Sequence, residues 1–180
     1  FKGVTRERLG KLGLQWPVQE DGTDTQILHK TEFKRGKGKF EFNSWKETVE
    51  LTEHAKDYPY ILTTNRELEH YNCGAMTRRT ANERILQDDY LMIHPNDAKN
   101  HLINEGDYVC LESPRGKVDV KARITDEVKE GILSTTFHFP EIMINNITGD
   151  VHDSEAMCPE YKVVAVKIRK SKGKFKKELA

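Results

Sequence analysis

Between Tyr58 and Ile168 the apolar residues fall into short groups separated by polar turns, and several of the groups alternate. Lys117-Val-Asp-Val-Lys-Ala-Arg-Ile places every second side chain on an apolar face, the pattern of a strand half buried against a core. Tyr58-Pro-Tyr-Ile-Leu-Thr-Thr is rich in β-formers, with Pro59 at its edge, where a missing N–H does least harm. Tyr90-Leu-Met-Ile, Tyr108-Val-Cys-Leu-Glu, Gly131-Ile-Leu-Ser-Thr-Thr-Phe-His-Phe and Tyr161-Lys-Val-Val-Ala-Val-Lys-Ile extend the set to about six strands. Pro95 suits the first position of a short helix, with Ala98, Leu102 and Ile103 as its inward face. Ser113-Pro-Arg-Gly reads as a tight turn. The pattern predicts a mixed, mainly β barrel with one or two brief helices.

Residues 1–57 have a different texture. Gly3, Gly10, Gly13, Gly22, Gly36 and Gly38 recur among charges, and neither the strand nor the helix period holds for long. The exceptions are an apolar knot (Leu12, Leu14, Trp16, Pro17) and Phe40 and Phe42 around Glu41, which predict a short strand near Lys39–Asn43. The expected organisation is an extended arm over 1–57 packing on the barrel, the barrel over 58–170, and a basic flexible tail over 171–180.

Composition agrees with a compact body carrying solvated extensions: of 180 residues, 36% are hydrophobic and 32% charged. No run approaches the roughly 18 apolar residues of a membrane span, and no secretory signal pattern is present. The chain starts at Phe1, which raises the expectation of a piece from a longer polypeptide. Twenty-nine basic residues balance twenty-nine acidic ones, but the last fourteen positions hold seven basic residues against Glu178 alone. That tail reads either as a grip on an acidic partner or as a solvated terminus. With no aromatic beyond Phe175 for base stacking, no nucleic-acid partner is expected. Cys73, Cys110 and Cys158 fit neither a disulfide framework nor a metal knuckle, and point to a reducing, cytoplasmic compartment.

The seven histidines form no HxxxH or HExxH motif, and no GxSxG, Walker or GxGxxG pattern occurs. Asp88 and Asp89 are paired carboxylates in a polar stretch, where solvation is the default expectation. The densest chemistry is Thr63-Thr-Asn-Arg-Glu-Leu-Glu-His-Tyr-Asn-Cys-Gly-Ala-Met-Thr-Arg-Arg, directly after a predicted strand. Arg66, His70, Asn72, Gly74, Thr77, Arg78 and Arg79 there form either an anion site, built from guanidinium forks and free backbone N–H groups, or a solvated turn.

That stretch resembles the start of the C-terminal, dinucleotide-binding domain of the molybdopterin oxidoreductases, formate dehydrogenase catalytic subunits above all. There a Thr-x-Arg-x-x-x-His-Tyr segment precedes a Met-Thr. The resemblance continues through Ile93-His-Pro-Asn-Asp-Ala, Glu105-Gly-Asp-Tyr-Val, Ser113-Pro-Arg-Gly-Lys-Val, Asn145-Asn-Ile-Thr-Gly-Asp and Pro159-Glu-Tyr-Lys-Val-Val-Ala-Val. It reaches back to Gly13-Leu-Gln-Trp-Pro and Arg35-Gly-Lys-Gly-Lys-Phe, leaving only the lysine-rich tail uncovered.

The resemblance implies a six-stranded double-psi β-barrel covering one side of a bis(guanine dinucleotide) pterin cofactor that carries molybdenum or tungsten. It implies that Asn65, Arg66, Glu67 and Leu68 lie on the loop meeting the dinucleotide, with Arg66 as the charge partner. His70 and Asn72 fall at the pterin and phosphate. Phe137 or His138 falls in the second contact segment, Asn145 in the loop after it, and Tyr161 and Lys162 at the other pterin end. Phe137 reads first as core and only second as contact; Tyr161 reads also as a brace for the last strand. Where relatives carry Asp-Pro-x-Ser-Lys, this chain has Asp153-Ser-Glu-Ala-Met and offers no lysine.

Iron–sulfur ligation wants about four thiolates, and only three scattered cysteines exist. The resemblance therefore implies no catalytic residue and no metal ligand in this piece. Metal ligand and iron–sulfur cluster are expected in an N-terminal part, with the rest of the catalytic subunit and electron-transfer subunits as partners. A nitrate or other oxyanion reductase, or a free-standing adaptor built on the same barrel, are the alternative readings.

Overall fold

The alternating segments become strands because each can bury one row of apolar side chains while its backbone bonds to neighbours on both sides. In the computed structural model, which describes residues 1–173, six strands do so: β1 (Tyr60–Thr64), β2 (Tyr90–Ile93), β3 (Tyr108–Ser113), β4 (Gly116–Ile124), β5 (Ile132–Thr135) and β6 (Val164–Lys170). They close into a barrel in the order β1-β5-β2-β4-β3-β6. Two pairs are parallel, β1 with β5 (Leu62 opposite Leu133) and β2 with β4 (Leu91 opposite Ala122). The other four contacts are antiparallel, including the β3–β4 hairpin and the two sides of β6. This is the expected six-stranded barrel.

Leu62, Leu91, Val109, Leu111, Val120 and Leu133 are fully buried in its core. Burying side chains of this size contributes roughly 1.5–3 kcal/mol each, so the alternation read from the sequence is the main source of barrel stability. Helix α3 (Pro95–Asn100) follows β2, with Pro95 in its first turn and the His94 ring accepting from the Asn96 N–H at 3.2 Å. Ala98 and Ile103 are buried as expected, but Leu102 is not. It lies beyond the helix end with φ 55°, and its side chain is 79% exposed. The helix stops too early for the 3.6-residue spacing to carry that position inward.

The chain divides into two compact units between Trp45 and Lys46. In the first, Thr5 caps the single turn α1 (Arg6–Leu9), and Arg8 Nη1 donates to the Gly3 carbonyl at 3.1 Å. Gly3 packs so tightly on the Gln19 carbonyl that a Cβ there would sit 1.7 Å from its oxygen. Val18 is the one buried apolar side chain among the described residues of this unit. Residues 39–43 form no strand, and Phe40 and Phe42 are fully exposed. Their alternation found no neighbouring edge, and two aromatic side chains cannot replace the missing ladder. The lysine-rich tail falls outside the described residues from Lys174 onward.

Helix α2 (Val49–His54) lies in the second unit with the barrel, and that unit starts at Lys46, twelve residues before the barrel start expected from the sequence. Its Glu50 is 1% exposed and receives a two-pronged bond from Arg115 in the β3–β4 turn, Nη2 to Oε1 at 2.5 Å and Nη1 to Oε2 at 3.1 Å. The Ala165 N–H of β6 donates to Oε1 at 2.9 Å, and Arg115 also reaches the Ile147 carbonyl at 3.4 Å. Glu50→Ala is expected to destabilise this unit by about 3 kcal/mol, because it strands a guanidinium in a site built for a pair. Urea unfolding of wild type and variant measures the difference.

Candidate functional site

Parallel pairing of β1 with β5 sends both strands out of the same end of the barrel, so the segments that follow them run side by side. Asn65 continues the pairing by one residue: its N–H donates to the Thr135 carbonyl at 2.8 Å, and its amide donates to Ser134 Oγ. Arg66 comes next and is exposed. Its Nη2 donates to Asn72 Oδ1 at 2.7 Å, and the guanidinium lies 5.6 Å from the Tyr71 ring centre. Asn72 has φ 48°, a left-handed conformation that asparagine tolerates better than most residues.

Behind this loop lie two buried histidines with opposite tautomers, each assigned from its neighbours. His138 Nε2 must accept from the Glu67 N–H at 3.0 Å, which puts the proton on Nδ1, donated to the Asn72 carbonyl at 2.5 Å. His70 Nε2 faces the Leu86 carbonyl at 2.8 Å and so carries the proton, while its Nδ1 accepts from the Thr77 hydroxyl at 3.0 Å. That hydroxyl in turn accepts from the Tyr71 N–H at 3.2 Å. Both rings spend both nitrogens inside the protein.

Asp89, expected to be solvated, is 1% exposed. Its carboxylate receives the Thr136 hydroxyl and the N–H groups of His138 at 3.2 Å and Phe139 at 3.0 Å, and so fixes the segment after β5. Burial pushes this carboxyl above the ordinary 3.8 despite the pull of those donors. A neighbouring acidic residue made the pair look solvated, but Asp88 alone reaches outward, to Lys121 at 3.2 Å.

On the outer side the barrel carries a trough made of adjoining hollows. A cavity of about 1060 Å³ runs over the outward side chains of β5 and takes in Asn65, Arg66, Glu67, Phe137, Tyr161 and Lys162. A second of about 410 Å³ shares Arg66, Phe137 and Tyr161 with it and adds Asn72, Asn145 and Thr148. A third of about 280 Å³ shares Phe137 and Asn145 with the second. Phe137 lines all three while its side chain also packs against the core. Lys162 Nζ donates to the Thr64 carbonyl, and Thr64 Oγ1 donates to that of Tyr161 at 3.3 Å, which ties the approach to β6 across the end of β1.

Eight of the eleven residues singled out from the sequence thus line one trough. Leu68 points wholly into solvent, and His70 and His138 line none of the three hollows. The anion cluster read from the sequence also thins out. Arg78 is committed to Glu141 through Nη1 at 3.0 Å and Nη2 at 2.8 Å, and that bond is the main reason its pKa is raised. Lys129 lines the large hollow and was not foreseen. It stands in Glu127-Val-Lys-Glu-Gly, a polar connection that carries no signal beyond that of a turn. Thr148 was within the quoted Asn145-Asn-Ile-Thr-Gly-Asp motif, where its position in a dense polar run was the available cue.

Residues 60–165 match the family described as molydopterin dinucleotide binding domain. The chain belongs to that family. It is 41% identical over 174 residues to the F420-dependent formate dehydrogenase subunit alpha of Methanocaldococcus jannaschii, covering 94% of this chain and 26% of that protein. It is 40% identical over 176 residues to the F420-dependent formate dehydrogenase 2 subunit alpha of Methanococcus maripaludis, with 94% and 25% covered. Among solved structures, acetylene hydratase from Pelobacter acetylenicus shares the fold with a TM-score of 0.59 at 18% identity, over 73% of this chain and 21% of that one. The chain therefore spans about a quarter of the length of the curated relatives it matches. No described helix is long and apolar enough to cross a membrane.

Gly74 closes the loop behind the trough with φ 69°, and a Cβ there would lie 2.7 Å from the His138 carbonyl oxygen. Gly74→Ala is expected to cost about 2 kcal/mol from backbone strain and the displaced carbonyl together, read as a lowered thermal midpoint.

Proposed function

We propose that this chain holds the dinucleotide part of a molybdopterin cofactor within a formate dehydrogenase-type oxidoreductase. The observation that supports it best is the trough, three adjoining hollows with the Arg66 guanidinium shared by the two larger ones. A dinucleotide is a long ligand with a doubly anionic pyrophosphate at its middle and flat rings at its ends. Arg66 has five N–H donors and Asn72 takes one of them, which leaves a fork for phosphate oxygens. Lys129 and Lys162 add positive charge along the larger hollow. Phe137 and Tyr161 offer ring faces, and the amide of Asn145 offers both donor and acceptor. The residues present fit the group.

In this reading the bound cofactor, with molybdenum or tungsten at its pterin end, supplies the two-electron oxidation of formate to carbon dioxide. The chain's own residues bind the nucleotide end, neutralise its phosphates and fix its orientation. A cofactor of this kind performs the redox step while the protein supplies position and electrostatics. The metal ligand and the iron–sulfur relay belong to the rest of the catalytic polypeptide. Because the relatives are named alpha subunits, further subunits receive the electrons. Formate is preferred over nitrate because the relatives at 40% identity or more carry that name.

Arg66→Ala in the full-length enzyme is expected to weaken cofactor retention by about 1.5–3 kcal/mol, the contribution of hydrogen bonds to a charged group. The melting temperature should hold, since an exposed arginine contributes little to stability. Arg66→Lys should recover only part of the loss, because an ammonium lacks the planar fork. Pterin and metal content per chain are measured beside thermal unfolding. Full occupancy in the alanine variant would refute the role.

A further inference from the structure

We infer that His138 is a positioning residue that sets Arg66 for the phosphate, acting through the backbone of the loop between them rather than by touching a ligand. This rests on the cofactor-holding reading above.

The connections run in one line. Asp89 fixes the backbone of His138 and Phe139 through their N–H groups at 3.2 and 3.0 Å. The His138 ring, wholly buried, then grips the Arg66 loop at two points: it accepts from the Glu67 N–H at 3.0 Å and donates to the Asn72 carbonyl at 2.5 Å. Those two residues bracket the loop, one directly after Arg66 and the other the residue that holds the guanidinium, at 2.7 Å. One rigid imidazole thus fixes both the backbone from which Arg66 springs and the amide against which its head rests.

Imidazole suits this task because its acceptor and donor lie on opposite sides of one planar ring, at a fixed separation. The left-handed backbone at Asn72 allows the arrangement. With φ 48° the residue turns its carbonyl to the ring, while its side chain serves Arg66. Neighbouring rings hold the imidazole in place, with His70 centred 5.7 Å away and Phe137 5.5 Å away. Arg66 is exposed and carries one hydrogen bond and one ring contact of its own. Without the clamp its long side chain would sample many rotamers, and ordering it would then oppose binding.

The test is a double-mutant cycle on the full-length holoenzyme, using Arg66→Ala, His138→Leu and the pair together. The readout is the rate at which pterin is released at a fixed temperature, with melting temperatures recorded alongside. Two residues acting through one contact give non-additive effects, and independent residues give additive ones. His138→Leu is expected to release pterin roughly tenfold faster than wild type, and the double variant no faster than Arg66→Ala alone. His138→Gln, which keeps an acceptor toward the Glu67 N–H, should recover part of the retention, whereas a purely packing role would be served as well by leucine.

Losses that multiply in the double variant, or wild-type release from His138→Leu, would overturn the inference. If the leucine variant does not fold, the same cycle run with His138→Asn decides between multiplication and non-additivity. Wild-type release from Arg66→Ala alone would instead remove the cofactor reading on which the inference rests.

Discussion

A barrel has no exposed ladder only if its final strand bonds on both sides, and in this chain β6 meets that requirement. Its Val164, Ala165 and Val166 pair with β1, and its Lys167 to Lys170 pair with β3. Without β6, both of those strands would present rows of unpaired N–H and C=O groups, an open template for association. The buried Glu50 acts on the same strand, since its carboxylate takes the Ala165 N–H while binding Arg115. Closure of the barrel and anchorage of the segment before it therefore meet at one residue of β6.

The placement of the trough follows from strand direction. Parallel β1 and β5 leave by the same end, so the Asn65–Asn72 loop and the Thr136–Phe139 segment become neighbours although they are distant in sequence. Antiparallel β6 enters at that end, which brings Tyr161 and Lys162 beside Thr64. Polar groups on the inner side of these segments are satisfied by Asp89, His70 and His138, so that those on the outer side remain available. The buried polar layer is costly unless every member finds a partner, and here the bonds of all three are made within the protein.

Short apolar, β-prone runs, several of them alternating, showed all six strands in the sequence, because a strand packed on a core must carry a row of apolar side chains whatever it pairs with. Pairing order was not legible, since nothing local marks Leu62 for Leu133 rather than for a nearer strand. The same signal misled at Phe40 and Phe42, which alternate without a partner, and at Leu102, which kept helical spacing beyond the helix. In the site, Asn65, Arg66 and Asn72 were legible as polar groups crowded after a strand. His70 and His138 were legible as residues but not in their direction, since sequence does not say which face of a loop turns inward. Asp89 was hidden by its neighbour. Lys129 was hidden by lying in an ordinary polar turn.

The pairing of β1 also governs the order in which this protein can take shape. During synthesis β1 is the first of the six strands to emerge, yet one of its partners is β5 and the other is β6, the last strand described. The hairpin of β3 and β4 can form by itself, joined by a tight turn, whereas β1 must wait for nearly the whole barrel to leave the ribosome. Such distant pairings make folding slow, because chain entropy is lost before the contacts that offset it can form. The loop that carries Arg66 is thus assembled late on the folding route of the barrel, and a nascent chain stalled before Val164 holds the residues of the site without the frame that aligns them.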